Sequence, residues 1–260
     1  MAGDFDLSGR AAIVTGGNGG IGLGMAKALA RAGCAVSIWG RNPEKNRAAL
    51  AEVVPCGAPV EARSCDVTDR AAIEDAFAGT LAAFGRVDGC FANAGMGTSA
   101  RQAFVDRAED EWRRMFATNL DGVFHVFQVA LRHMIKRAES GDRFGRLVAT
   151  SSLASLFAMP RGEHYAATKA ALNALIRALA VEHARYGVTA NAILPGWIET
   201  EMTAGLTHNE KFVANVMPRI PMRRFGTPAD FGGIAVYLMS ALSSYHTADC
   251  LVIDGGYSVF

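Results

Sequence analysis

Tyr165 and Lys169 stand four residues apart in Tyr165-Ala-Ala-Thr-Lys169, a spacing that puts a phenol and an ammonium on one face of a helix. A phenol with an ordinary pKa near ~10 carries protons poorly at neutral pH, and an adjacent cation lowers that value by stabilising the phenolate. Taken alone, such a pair is more often an incidental surface feature. Ser151-Ser152 changes the weighing, because it directly follows an apolar strand and the chain returns from there to Tyr165. Hydroxyl, phenol and ammonium can then converge at one edge of a sheet, a set able to move a proton to a reacting oxygen while hydrogen-bonding it.

A second constellation is Thr15-Gly16-Gly17-Asn18-Gly19-Gly20-Ile21-Gly22, placed directly after an apolar run and before a helical one. Glycine permits the tight, positive-φ turn and the close approach of a pyrophosphate, and the helix N-terminus that follows favours its charge. A glycine cluster alone is weak; one in the first strand-to-helix turn of a βαβ unit is a dinucleotide fingerprint. At the end of the second strand, where a carboxylate would hold the ribose of NAD, the chain reads Trp39-Gly40-Arg41-Asn42. No acid is there to repel a 2′-phosphate, and Arg41 offers a guanidinium that binds phosphate through two hydrogen bonds. NADP(H) is the expected cofactor and NAD(H) the alternative, in which Arg41 is an ordinary surface arginine.

These residues need a frame, and the hydrophobic pattern supplies one. Short β-branched runs at 11–15, 35–39, 60–64, 87–92, 146–150, 189–194 and 250–253 alternate with helical segments at about 20–32, 43–54, 69–84, 109–137, 164–186 and 228–240. Several of the runs are apolar at consecutive positions, as strands covered on both faces must be. The pattern predicts an α/β Rossmann fold: a doubly wound parallel sheet of about seven strands with helices on both faces and ligands bound beyond the strand carboxyl ends. No repeat, linker or charge run marks a boundary, so residues 1–260 are expected to form one domain. Residues 201–221 break the alternation and read as a short helical flap rich in Met202, Leu206, Phe212, Val213 and Met217.

The 260 residues carry 26 basic and 25 acidic side chains, a formal charge of +1, which argues against a nucleic-acid partner. Neither a leader nor an apolar stretch of about 18 residues is visible, so no membrane association is expected and a cytoplasmic location is. Cys34, Cys56, Cys65, Cys90 and Cys250 are odd in number and scattered, which suggests neither disulfides nor zinc. The histidines lack metal-ligand spacing, and no metal is expected.

The chain resembles the short-chain dehydrogenase/reductase family over nearly its whole length, including its 3-oxoacyl-acyl-carrier-protein reductase-like and sugar or gluconate dehydrogenase-like members. The resemblance is carried by Thr15-Gly16-x-x-x-Gly20-Ile21-Gly22, Asp66-Val67, Asn93-Ala94-Gly95, Asn119, Ser152, Tyr165-x-x-x-Lys169, Pro195-Gly196 with Thr200, and Asp254-Gly255-Gly256. It implies a catalytic tetrad of Asn119, Ser152, Tyr165 and Lys169, with Ser152 preferred over Ser151 because the family usually places this serine thirteen residues before the tyrosine. It also implies hydride transfer between a ketone and a secondary alcohol. Tyr165 would move the proton, Ser152 would bond the reacting oxygen, Lys169 would lower the phenol pKa and hold the nicotinamide ribose, and Asn119 would anchor a water. Asp66 and Val67 would meet the adenine, Asn93 and Gly95 would line the cofactor cleft with Gly16, Asn18, Gly20, Ile21, Gly22, Pro195 and Gly196, and Ile198 and Thr200 would meet the carboxamide and phosphates. Three departures stand out: the usual first asparagine before Ala94-Gly95 is Ala92, Gly17-Asn18-Gly19 stands where many NADP-preferring members carry a basic residue so that cofactor choice leans on Gly40 and Arg41 alone, and Thr247-Ala248 replaces a usual Thr-Gly.

His164 beside Tyr165 reads as a bystander, since helix neighbours point about 100° apart. The small-sided Tyr165 helix and the family resemblance suggest a homotetramer. Arg132, Lys136, Arg137, Arg143 and Arg146 form a basic cluster, either a solvated face or a docking surface for acyl carrier protein. A 3-oxoacyl group on that carrier is thus one substrate class; a sugar acid or small carbonyl compound is another. The competing reading of the whole chain is a catalytically silent dinucleotide-binding sensor or scaffold.

Overall fold

The computed structural model describes residues 3–98 and 102–260. Seven strands, β1 Ala11–Thr15, β2 Ala35–Gly40, β3 Val60–Ser64, β4 Gly89–Ala92, β5 Gly145–Thr150, β6 Val188–Pro195 and β7 Cys250–Ile253, form one parallel sheet in the order β3-β2-β1-β4-β5-β6-β7. The order reverses between β1 and β4, which opens a crevice at the carboxyl ends of those two strands. The glycine turn leaves β1 at that crevice and Asn93-Ala94-Gly95 leaves β4 beside it.

Period-two alternation gives the sheet two apolar faces. Ala12 and Val14 of β1, with Val36, Ile38, Phe91 and Val148, pack beneath α1 Gly20–Arg31, α2 Pro43–Val53 and α9 Gly232–Met239. Ile13 turns the other way and joins Cys90, Leu147 and Ala190 under α3 Arg70–Phe84, α5 Gly122–Glu139 and α6 Glu163–His183. Each large aliphatic side chain so buried contributes about 1.5–3 kcal/mol, which lets the sheet hold its carboxyl edge rigid.

Helix starts follow the local signals. Asn42 caps α2 by accepting from the amides of Glu44 and Lys45 at 2.9 and 3.0 Å, with Pro43 in the first turn. Asp69 caps α3 through Ala71 N at 2.9 Å, and Gly85 closes it at φ 73°. Thr227 and Asp230 form a reciprocal capping box ahead of α9.

The expected single helix over 109–137 is instead interrupted. It is α4 Glu109–Phe116, a π-helical segment Ala117–Asp121 and then α5, and the π segment carries Asn119. The flap resolves into α7 Ala204–Thr207 and α8 Glu210–Val216, seated on a separate small core of Val216, Ile220 and Phe225 with Trp197 and Phe212 against it. Among the described residues no helix is long and apolar enough to cross a membrane.

The basic cluster does not form one surface. Arg146 is 2 % exposed, bonds the carbonyl of Ser240 at 3.2 Å, and lies over one face of the Phe144 ring. Arg137 is committed to Asp88 and Asp142 at 2.8 and 2.7 Å. Only Arg132, Lys136 and Arg143 stay exposed, and Arg143 and Arg146 lie at the opposite end of β5 from Ser152. As a docking surface the cluster therefore loses two of its five cations, because burial required them to find internal partners.

Candidate active site

The glycine turn is shaped for close approach. Gly16 has φ 62°, and a Cβ there would sit 2.9 Å from Ala94 Cα; a Cβ on Gly22 would strike Asn93 Nδ2 and the Gly16 carbonyl oxygen at 2.4 Å. Gly20, at φ 49°, faces Thr200, whose methyl lies 3.2 Å from the position of a Cβ. The α1 N-terminus has no side-chain cap, so its first-turn amides keep their hydrogen-bonding capacity for an anion. An uncapped helix start behind a bare glycine surface fits a pyrophosphate.

Asn93 knits the crevice together. Its Nδ2 donates to the carbonyls of Thr15 and Gly16 at 3.1 and 3.3 Å, and its Oδ1 accepts from Thr150 Oγ1 at 3.1 Å. Those bonds fix the ends of β1, β4 and β5 relative to each other and shape the cleft rather than present the side chain to it. Asn18 is similarly engaged, donating to Asn46 Oδ1 at 2.7 Å.

That pair gives Gly40 a reason beyond the absence of an acid. A Cβ at Gly40 would fall 2.1 Å from Asn18 Nδ2 and 2.5 Å from Asn46 Oδ1. Next to it the Arg41 side chain is 72 % exposed, with Asp66 Oδ2 3.8 Å away. Asp66 accepts from the amide and hydroxyl of Thr68 at 2.9 and 2.8 Å. Val67 points into the core, where a Cβ on Gly122 would sit 2.9 Å from its Cγ2.

On the other side of the crevice, Tyr165 and Lys169 occupy the first two turns of α6. Lys169 Nζ donates to the carbonyl of Thr150 at 2.7 Å and lies 5.6 Å from the centre of the Tyr165 ring. Burial lowers its ammonium from the usual range to about 8. The Tyr165 phenol shifts the opposite way from the sequence expectation. Burial pushes it above its ordinary value, and the hydrogen bond with the Ser152 side chain offsets that only in part. Desolvation disfavours phenolate and ammonium alike, so the phenol keeps its proton firmly while the ammonium, still the main form at neutral pH, gives its proton up more readily than an exposed lysine.

The choice between the serines follows from their bonds. Ser151 is 2 % exposed and its hydroxyl donates to the Lys169 carbonyl at 3.0 Å. Ser152 caps the turn Leu153–Ser155, with its Oγ accepting from Ala154 N at 3.1 Å, and it is the one that meets Tyr165. Asn119 is wholly buried and grips the Met96 backbone at both ends, Oδ1 accepting from Met96 N at 2.8 Å and Nδ2 donating to its carbonyl at 3.0 Å. Gly95 lies between Asn119 Oδ1 and Lys169 Nζ, 3.2 and 3.7 Å from where a Cβ would stand.

Pro195 ends β6, and Gly196 passes so near Asp254 that a Cβ would lie 2.6 Å from the Asp254 Cβ. Asp254 accepts from the amides of Gly256 and Ser258 at 2.8 and 2.7 Å. Ile198 is buried and pairs with Gly226. Thr200, against Gly20, begins the flap, and its amide donates to Thr203 Oγ1 at 3.0 Å.

Residues 16–258 match the family model described as enoyl-(acyl carrier protein) reductase. The chain belongs to the short-chain dehydrogenase/reductase family. As a member of it, the protein is an NAD(P)-dependent oxidoreductase acting between alcohol and carbonyl. It is similar to the 3-oxoacyl-acyl-carrier-protein reductase FabG of Chlamydia pneumoniae, 35% identical across 97% of this chain and 98% of that protein. It is likewise similar to gluconate 5-dehydrogenase of Gluconobacter oxydans, 36% identical across 98% of this chain and 97% of that one. Among short-chain dehydrogenase/reductase structures, that of a gluconate 5-dehydrogenase from Burkholderia cenocepacia in complex with NADP and tartrate superposes with a TM-score of 0.91 at 34% identity, covering 99% and 98% of the two chains.

Residues that sequence reasoning passed over are Lys45, Arg107 and Glu111. Lys45, at the start of α2, forms an ion pair with Glu201 of the flap. No local signal marks that pair, because the partners are 156 residues apart. Arg107 and Glu111 do have one: opposite charges at i,i+4 as α4 begins.

Proposed function

We propose that the protein interconverts a ketone and a secondary alcohol with NADP(H), and that its substrate carries an apolar substituent. The observation that carries the reading is the meeting of Tyr165, Ser152 and Lys169 beyond β5, facing the glycine turn across the crevice. Arg41, exposed and without an acid at position 40, supports the choice of NADP(H), as does the NADP bound by the Burkholderia relative. Gly16, Gly20 and the uncapped start of α1 would hold the pyrophosphate, Gly95 and Thr200 would flank the nicotinamide end, and Lys169 would bond the adjoining ribose.

When bound, the dinucleotide supplies or accepts the hydride. Ser152 Oγ then donates to the carbonyl oxygen as negative charge develops there, and the Tyr165 phenol gives that oxygen its proton. A phenol raised by burial holds its proton at neutral pH, which suits it as the acid in the reducing direction. Lys169 places a positive charge behind the ring, and Asn119 holds the Met96 loop in line with Gly95.

The substrate class rests on the segments that border Ser152 and Tyr165. They expose Phe104 and Val105, Leu156 and Phe157, and Met202, at 63 %, 87 %, 51 %, 48 % and 56 %. Such side chains favour an acyl or other apolar tail over a polyhydroxy acid. A homotetramer assembled through α5 and α6 belongs to the same reading, supported by the groove that Phe124, Leu131, Ile135, Leu175 and Leu179 line between those helices.

The test is a carbonyl panel followed by loss of NADPH absorbance, with Tyr165→Phe beside it. Turnover of an apolar ketone should fall by about 10³-fold or more in the variant while NADPH binding is retained. Undiminished turnover would remove Tyr165 from the chemistry; a dinucleotide-saturated wild type inert to every ketone and alcohol would favour a sensor or scaffold.

A further inference from the structure

The chain enters α6 through a residue in the left-handed region. Arg161 has φ 64°, a conformation that is strained for any residue but glycine. Two neighbours hold it there. Its N–H donates to Glu163 Oε1 at 2.7 Å, and its carbonyl accepts from Arg107 at 3.0 Å.

Arg107 does more than bond that carbonyl. Its side chain is 4 % exposed and pairs with Glu111 at 2.9 Å, while its guanidinium also donates to the carbonyl of Gln102 at 3.2 Å. Glu111 meets His164 Nε2 at 3.3 Å, one residue before Tyr165. A buried guanidinium is costly unless its donors are bonded, and here the planar fork spends them on two loops 54 residues apart. One loop carries Phe104 and Val105; the other carries Leu156 and Phe157 and leads into Tyr165. On the reading given above, both would border the substrate mouth.

We infer that Arg107, anchored by Glu111, is a positioning residue for the reaction: it ties the two walls of the substrate mouth together and holds Arg161 so that α6 presents Tyr165 to the carbonyl oxygen. This rests on the reading of Tyr165 given above. His164, a bystander by sequence, supports the anchor from the α6 side. The guanidinium acts through loop geometry and touches no reacting atom.

The inference predicts a split. Arg107→Gln should lower kcat/KM for the ketone about tenfold or more, since misplacement of a catalytic group by about 1 Å can cost 10²-fold, while the NADPH Kd stays within about twofold. Adding Arg161→Gly, which adopts positive φ without help, should restore a large part of the lost kcat/KM. Amide hydrogen exchange over 156–163 should be faster in Arg107→Gln and slowed again in the double variant. An unchanged kcat/KM, an equal loss of NADPH affinity, or failure of Arg161→Gly to restore either readout would overturn the proposal. If Arg107→Gln does not fold, Arg107→Lys, which keeps the charge over Glu111 and loses the fork, is held to the same split. Hydrogen exchange needs no turnover, so a failed assignment of Tyr165 and a failed clamp are told apart.

Discussion

Asn119 and Met96 are joined twice, side-chain amide to backbone amide and carbonyl, at 2.8 and 3.0 Å. The π-helical segment makes this possible by turning Asn119 inward from what would otherwise be a continuous helix, and such segments recur at functional sites. Asn119→Ala takes these partners from two part-buried backbone groups of Met96, at up to about 1–3 kcal/mol each. It should lower unfolding free energy by about 2–4 kcal/mol in urea titrations and weaken NADPH binding through Gly95. A stability loss below about 0.5 kcal/mol would show that the Met96 loop does not depend on it.

Lys169 gives a pH dependence with a definite sign. Its ammonium is lowered to about 8, so the cation is present below that pH and lost above it. If the charge behind Tyr165 is needed, kcat/KM for NADPH, which reports the free enzyme, should be level at pH 6–7 and fall through about 8. In Lys169→Arg the residual activity should lack that basic limb, because a guanidinium stays charged. Stability runs the other way. The unfolded chain holds the extra proton between about 8 and the ordinary 10.5, so this group's penalty shrinks as pH rises across that window.

Arg41 and Gly40 make separable predictions. Arg41→Ala should reduce the preference for NADPH over NADH about tenfold, read as the difference in thermal stabilisation by the two nucleotides; an unchanged preference makes Arg41 surface decoration. Gly40→Asp, the obvious way to invite NAD, should instead destabilise the fold, because its Cβ would displace the Asn18–Asn46 pair. Pairing it with Asn18→Gly should recover stability.

Ala248, where the family usually has glycine, has φ 68°. Relief of the left-handed cost, about 1–2 kcal/mol, exceeds the extra chain entropy of glycine, about 0.5–1 kcal/mol. Ala248→Gly should therefore raise Tm by about 1–3 °C without touching kcat. A lowered Tm would show that the Ala248 methyl is needed for packing against the core, on which it lies.

Most of the frame was legible because it is local. The runs at 11–15, 60–64 and 250–253 are strands with those same bounds; β1 is buried throughout and leaves a continuous apolar signature, whereas β3 and β7 are half-buried edge strands. Asn42, Asp69 and Thr227 cap the helices they precede for equally local reasons. The π segment escaped notice because the apolar spacing of 109–137 continues across it. Distant partners escaped too: Asn18 with Asn46, Lys45 with Glu201, Arg107 with Arg161. The direction of the Tyr165 shift was misjudged because residue spacing conveys the nearby cation but not the loss of water around both groups.

Thr200 stands against Gly20 and Lys45 is paired with Glu201, so the root of the flap leans on the glycine turn and on the helix beside it. Whatever settles on that turn also sets the posture of the wall that receives the other reactant. The two reactants should accordingly arrive in a compulsory order, nucleotide leading, with departure in reverse.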